Sequence, residues 1–319
     1  MRRLFEKYYK VKCISNYMSQ EQVISRDYII GYIDILGFKN YIKKCFDNDV
    51  KVSSIQFEEK RVNYINAMNN SREFGINLYL NLLRDNDYHS FANQINLRQI
   101  SDSFIISIPI DLNNKLDLFG KIIAISAIII NYQQILLLSN FLTRGAVSLG
   151  LHYEDKENLF SHALIKAVEM EKEVADVPRI IIEKEIITLL KSLIKEESIK
   201  SELTDSDESK LCESILHDMY LKDWDDQFFL NFLLNKNTKE IIDKTKNYYK
   251  QEQRDQLNNI NVDTEIKDSL EKLKANNNTE ISNEKDASII KKRLWLREYI
   301  NWRIDDETEK SNIRFKSAL

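Results

Sequence analysis

The chain has 319 residues, 43% of them hydrophobic and 30% charged, and a formal net charge of −4. That balance is ordinary for a globular protein with ample core, and it excludes a broadly basic surface for nucleic acid or acidic membrane. Three widely spaced cysteines, Cys13, Cys45 and Cys212, make no CxxC pair and no disulfide framework, which predicts a cytoplasmic, reducing setting; the polar start MRRLFEKYYKVKC does not read as a secretory signal.

Residues 1–25 read as a polar, partly helical arm. Residues 26–36 read as a buried strand, with Tyr28, Ile29, Ile30, Tyr32, Ile33 and Ile35 around one carboxylate, Asp34, and with Gly37 and Phe38 just after it. A helical pattern follows to about Leu83, its buried face marked by Tyr64, Ile65, Met68, Ile76, Leu78, Leu80 and Leu82. Between Arg98 and Ile110, INLRQI and FIISIPI flank Ser101, Asp102 and Ser103, the pattern of a hairpin with those three as its turn. A long apolar helix is predicted over 115–141. Its segment KIIAISAIIINYQQILLLSNFL is the best membrane candidate, but Asn131, Tyr132, Gln133 and Gln134 interrupt it, so a core helix is expected. RGAVSLGLHY then reads as a strand, SHALIKAVEMEKEVA as a helix, and PRIIIEKEI as a strand introduced by Pro178. Gly31, Gly37, Gly145 and Gly150 punctuate strand ends.

That order predicts an α+β fold, a ferredoxin- or palm-like βαββαβ core with helices on one face of a mainly antiparallel sheet. The domain expected spans 26–185. Beyond it, charged and Asn-rich runs such as KEESIKSELTDSDESK and LEKLKANNNTEISNEKD predict a helical C-terminal region over 186–319, most flexible at 262–287.

Asp34 and Asp102 are where chemistry concentrates. A buried, unpaired charge is costly, so Asp34 needs a partner. Alone, Asp34 reads as a helix cap and Asp102 as a turn residue. In a βαββ arrangement the first strand lies beside the hairpin, and two carboxylates brought together there repel unless a cation lies between them. A hard divalent ion suits that donor set, with the Ile35 carbonyl as a further oxygen. Gly37 would let backbone approach a triphosphate, with Phe38 and Ser103 beside it. His89, His152, His162 and His217 share no ligand spacing with cysteines, and no GxxxxGK[ST] or GxGxxG sequence occurs.

DILGF, then RQISDSF, then RGAVSLG, then a helix bearing alanine and glutamate together resemble the catalytic domain of class III nucleotidyl cyclases. Their pattern is a D-I-x-G-F strand, a K-x-x-G-D hairpin, a G-x-x-x-G strand and a G-x-x-V-N-x-A-x-R-x-E helix. The resemblance makes Asp34 and Asp102 metal ligands together with the Ile35 carbonyl, and implies two Mg²⁺ or Mn²⁺ ions and an NTP substrate. Arg98, four residues before Asp102, matches the base-reading position; it only donates hydrogen bonds, which favours carbonyl acceptors on the base. On the helix, Ala167 and Glu171 match, but Ser161, Ile165 and Glu169 stand where the family has glycine, the ribose-orienting asparagine and the transition-state arginine. Ser101 replaces the hairpin glycine. Arg144, Lys166 and Arg179 are the cations available to replace the missing one.

The fuller set, with PRI, DWDDQFFLNFL and KRLWLREYINW, resembles a divergent bacterial branch that includes pyrimidine cyclases of Pycsar anti-phage defence. That implies cyclic CMP or cyclic UMP as product, a separate effector that reads it, and an isologous homodimer. No nucleic-acid or membrane partner is expected. Trp224, Phe228, Phe229, Trp295, Tyr299 and Trp302 are expected as core or dimer-packing aromatics. A catalytically silent nucleotide-binding or sensor module, and a palm-type polymerase or oligonucleotide cyclase, are the rival readings.

Overall fold

Alternating strand positions in a computed structural model divide the chain between two faces of one sheet. Described are residues 26–38, 62, 94–138, 141–155, 158–195, 217–233, 262–304 and 315–317. The helical pattern expected between Phe38 and Leu83 therefore lies almost wholly outside the described residues, as does the arm over 1–25.

Strand β1 (Arg26–Ile35) pairs antiparallel with β3 (Ser103–Pro109) on one side and β4 (Thr143–Glu154) on the other, and β2 (Asn96–Ile100) pairs with β3. Strands β5 (Leu159–Ser161), β6 (Ile180–Ile182), β7 (Tyr220–Lys222), β8 (Phe228–Leu230) and β9 (Lys316–Ser317) complete the sheet in the order β2-β3-β1-β4-β6-β8-β7-β9, with β5 on β4. Only β4 and β6 run parallel, joined by helix α2 (His162–Glu173); the other pairings are antiparallel. The architecture is mixed α/β, a sheet with helices packed on it.

The period of two sorts β1 cleanly. Ile29, Ile33 and Ile35 join a core built with helices α1 (Lys115–Leu138) and α3 (Lys184–Leu193). On the other face, Tyr28, Ile30 and Tyr32 pack with Ala163 and Ala167 of α2. Helices thus cover both faces, not one as expected. The reason is α2, whose hydrophobic stripe is two alanines and fits closely over β1 and β4.

Helix α1 is long and apolar enough to cross a membrane, yet most of its apolar run is buried against the sheet and α3. Of the glycines expected at strand ends, Gly31 lies inside β1. A Cβ there would meet Ile129 at 2.5 Å and Ile106 at 2.6 Å, so its role is close helix packing. The PRIIIEKEI strand is only Ile180–Ile182, after which α3 begins.

Beyond residue 185 the chain differs from an all-helical region. Strands β7, β8 and β9 extend the sheet, while α4 (Val262–Asn283), in the stretch expected to be most flexible, and α5 (Ala287–Ile304) pack on each other. An aromatic cluster of Phe229, Phe232, Trp295, Tyr299 and Phe315 fills the space between sheet and helices. Trp302 stacks on Tyr299, Phe228 is partly buried against the α1 core, and Trp224 is 71% exposed at the β7–β8 turn.

Candidate active site

The last residues of β1 meet the turn of the β2–β3 hairpin. Asp34 is in register with Ser103 on β3 and with Arg144 on β4, so three strands deliver three polar side chains to one end of the sheet. The hairpin loop has two residues, Ser101 and Asp102; Ser103 already belongs to β3. Ser101 adopts a left-handed backbone, φ 57°, which accounts for glycine at this position in the resembling motif.

Ser103 Oγ donates to Asp34 Oδ1 at 3.2 Å and lies 2.9 Å from the Tyr32 hydroxyl, one strand period from Asp34. Burial, and next the charge of Asp102, push the Asp34 carboxyl above its usual range, against the pull of Arg144 and Ser103. Two carboxylates are therefore close enough to repel in a partly desolvated place. Hard oxygen donors in this number suit Mg²⁺ or Mn²⁺, which commonly take one or two carboxylates and fill the remaining positions with water and phosphate. Among the described residues, no three His, Cys, Asp or Glu side chains converge on one point. Asp34, Asp102 and the Ile35 carbonyl are thus the residues that could hold an ion here.

Arg144 stands between two acids. Its Nε is 3.9 Å from Asp34 Oδ2 and makes a much closer ion pair with Glu171 on α2. Ser161 caps α2 by accepting from the Leu164 N–H at 2.9 Å, and the buried stripe Ala163, Ala167, Glu171 follows at intervals of four. Burial pushes the Glu171 carboxyl up, Arg144 pulls it down, and the charge of Asp34 raises it. Tyr32, with its hydroxyl pushed up by burial, is a site residue not singled out as functional from the sequence, and Glu171 stands there only as a match to the glutamate of the resembling helix. Both carried a signal: Tyr32 is two residues from Asp34 on a strand, and Glu171 continues the AxxxAxxxE stripe.

The other expected residues lie elsewhere. Gly37 is exposed and left-handed, φ 80°, with open space where a Cβ would point; Phe38 packs on the α1 core. Arg98 is on the Asp34 face of the sheet, where its Nε meets Glu154 at 3.2 Å and its NH2 donates to the Asp155 carbonyl at 3.0 Å. Glu154 is raised by burial but more than offset by His152, Arg98 and Ser107, and its carboxyl lies below the usual range. Lys166 Nζ donates to Glu183 at 2.6 Å and to the Leu149 carbonyl at 2.9 Å, tying α2 to the β6–α3 junction.

Arg179 is 1% exposed, and its guanidinium is committed to two acids of the β7–β8 turn: Asp223 at 2.6 Å and Asp225 through both terminal nitrogens. The Trp295 indole N–H donates to the same Asp223 oxygen at 2.8 Å. The strands of Arg144 and Arg179 are joined by backbone, where the Gly145 N–H donates to the Arg179 carbonyl at 3.3 Å.

The chain matches no family model. No curated protein matches it in sequence. Among solved structures, the guanylyl cyclase Cya2 overlaps 52% of this chain and 79% of its own, at 10% identity and a TM-score of 0.27. A likeness of that size carries no argument, and the site is read from its own residues.

Proposed function

We propose that the chain is a nucleotide cyclase that converts an NTP to a 3′,5′-cyclic mononucleotide and pyrophosphate, on a ferredoxin- or palm-like core. The observation that carries this reading is the meeting of Asp34 and Asp102 at the mouth of the β2–β3 hairpin, where burial and mutual repulsion hold the Asp34 carboxyl high. The strand order β2-β3-β1-β4, with β1 central and antiparallel to both neighbours, supports the core assignment.

Asp34, Asp102 and the Ile35 carbonyl would hold two Mg²⁺ or Mn²⁺ ions, and Ser103 donates to Asp34 Oδ1 from one side. When bound, the ions supply acidification of the ribose 3′-hydroxyl and charge neutralisation at the α-phosphate. The 3′-hydroxyl gives up its proton to water, its oxygen bonds to the α-phosphorus, the bond to the bridging oxygen breaks, and pyrophosphate carries away that electron pair. Arg144 takes the phosphate-neutralising role, because both terminal nitrogens of Arg179 are held by Asp223 and Asp225 away from Asp34. Gly37 leaves open space beside the triphosphate path. Arg98 offers donors to base carbonyls, as on uracil, cytosine or guanine. A pyrimidine substrate, a homodimer, and a cyclic product read by a separate effector in anti-phage defence rest on the motif resemblance, and a cytoplasmic setting on the cysteine pattern.

One observation favours the rival, a catalytically silent nucleotide-binding or sensor module. Ile165 and Glu169 are both exposed on α2, at the positions where ribose-orienting and transition-state groups are expected. Incubation with each of the four NTPs and Mn²⁺, with detection of pyrophosphate and cyclic product, separates the two. Product from a pyrimidine NTP that disappears with Asp34→Ala or Asp102→Asn supports the cyclase; no product from any NTP sinks it.

A further inference from the structure

Glu171 takes no part in the chemistry above, yet it is 2% exposed and completes the buried stripe of α2. A carboxylate is rarely placed that deep without a charge partner. Its partner is Arg144, and the same Nε that meets Glu171 stands 3.9 Å from Asp34. One cation is thus shared by two acids, one on the sheet and one on the helix above it, with the closer contact on the helix.

We propose that Glu171 is a positioning residue that holds Arg144 back from Asp34, so that the Asp34–Asp102 pair keeps its attraction for a divalent cation. This deepens the cyclase reading and rests on it for the use to which that cation is put. The register explains why a restraint is needed. Arg144 sits directly across from Asp34 on the neighbouring strand, so among the described residues Asp34 is the acid left to pair with it once Glu171 is removed. A full ion pair there would cancel the charge that a metal ion must meet. With Glu171 in place, Asp34 feels Arg144 only at a longer distance and still feels Asp102, which leaves the pair short of positive charge. Lys172 is the further cation acting on Glu171, and it is exposed.

The test is a titration of the full chain with Mn²⁺, reading free ion by its paramagnetic resonance signal, on wild type, Glu171→Gln, Arg144→Gln and the double variant. Glu171→Gln should weaken Mn²⁺ binding about tenfold, the effect of bringing a guanidinium from a long to a full contact with Asp34 at surface-like screening. Arg144→Gln should bind at least as tightly as wild type, and adding Glu171→Gln to it should change nothing. Equal weakening by Glu171→Gln in both backgrounds would mean a bulk loss of negative charge and would overturn the proposal, as would no weakening in either. Should Glu171→Gln alone not melt cooperatively, Glu171→Asp decides, because it keeps the charge and shortens its reach to Arg144: weaker Mn²⁺ binding upholds the restraint, unchanged binding overturns it. A wild type that binds Mn²⁺ but cyclises no NTP refutes the cyclase and leaves the positioning role standing. A wild type that binds no Mn²⁺ overturns the positioning role.

Discussion

Replacing Arg179 with alanine is the sharpest test of how the two parts of the sheet are held together. The Asp223 side chain is fully buried, and Arg179 is the cation bonded to it. Without Arg179, Asp223 keeps the Trp295 indole N–H and the Trp224 backbone N–H, each at 2.8 Å, but loses its countercharge. Asp225 is about a third exposed and can turn to water, so nearly all the cost falls on Asp223. Removing one member of a buried pair costs about 3–5 kcal/mol, and the hydrogen bonds that Asp223 keeps place this case near 3 kcal/mol. At a few degrees per kcal/mol, the melting temperature should fall by roughly 10 °C. Thermal unfolding followed by intrinsic fluorescence suits the assay, because Trp295 sits at the broken contact. Arg179→Lys should recover little, since one ammonium cannot reproduce the forked contact with both acids. Arg179→Met with Asp223→Leu should recover only part of the loss, because it removes the stranded charge but leaves the Trp295 indole N–H without its acceptor. A melting temperature within about 2 °C of wild type, with NTP turnover lost, would refute the reasoning and return Arg179 to the phosphate.

Gly145→Ala should be far more damaging than an exposed glycine change, because its Cβ would lie 1.9 Å from the Tyr32 carbonyl oxygen and force β1 and β4 apart; soluble protein with an unchanged melting curve would contradict this packing. Ser101→Gly should raise stability by about 0.5–1 kcal/mol in urea denaturation, since glycine adopts φ 57° without the side-chain penalty; a decrease would place the strain elsewhere. The pH profile should have its maximum in mildly acidic solution. Asp34 and Glu171 are raised, so their charged forms cost stability that is recovered as pH falls through those raised values. Asp225 and Glu154 are lowered: burial opposes this, but Arg179 in one case and His152 with Arg98 in the other prevail. Their contribution is present above about pH 4, the ordinary carboxylate range, and is lost as pH falls through their lower native values. Melting temperatures that decline steadily from pH 7 to 5 would contradict the raised pair.

Much of the carboxylate end was legible in the chain itself. The period of two puts Asp34 on one face with Tyr32 while Ile33 and Ile35 turn to the core, and the hairpin pattern brings Asp102 to the end of β1. A stripe repeating every four residues carries Glu171 to the face of α2 that meets the sheet. These are local periodicities, and sequence records them directly. Strands β7, β8 and β9 are two or three residues long, too short for alternation to register, so an all-helical region was expected where the sheet continues.

Which arginine serves Asp34 was also beyond the chain's local pattern. Arg144 and Arg179 both precede short apolar runs that read as strands, and nothing nearby separates them. The β1–β4 register sets Arg144 opposite Asp34, while the turn holding Asp223 and Asp225, 44 and 46 residues along the chain, claims Arg179. A long side chain follows the nearest uncompensated acid, and only the folded sheet decides which acid is nearest.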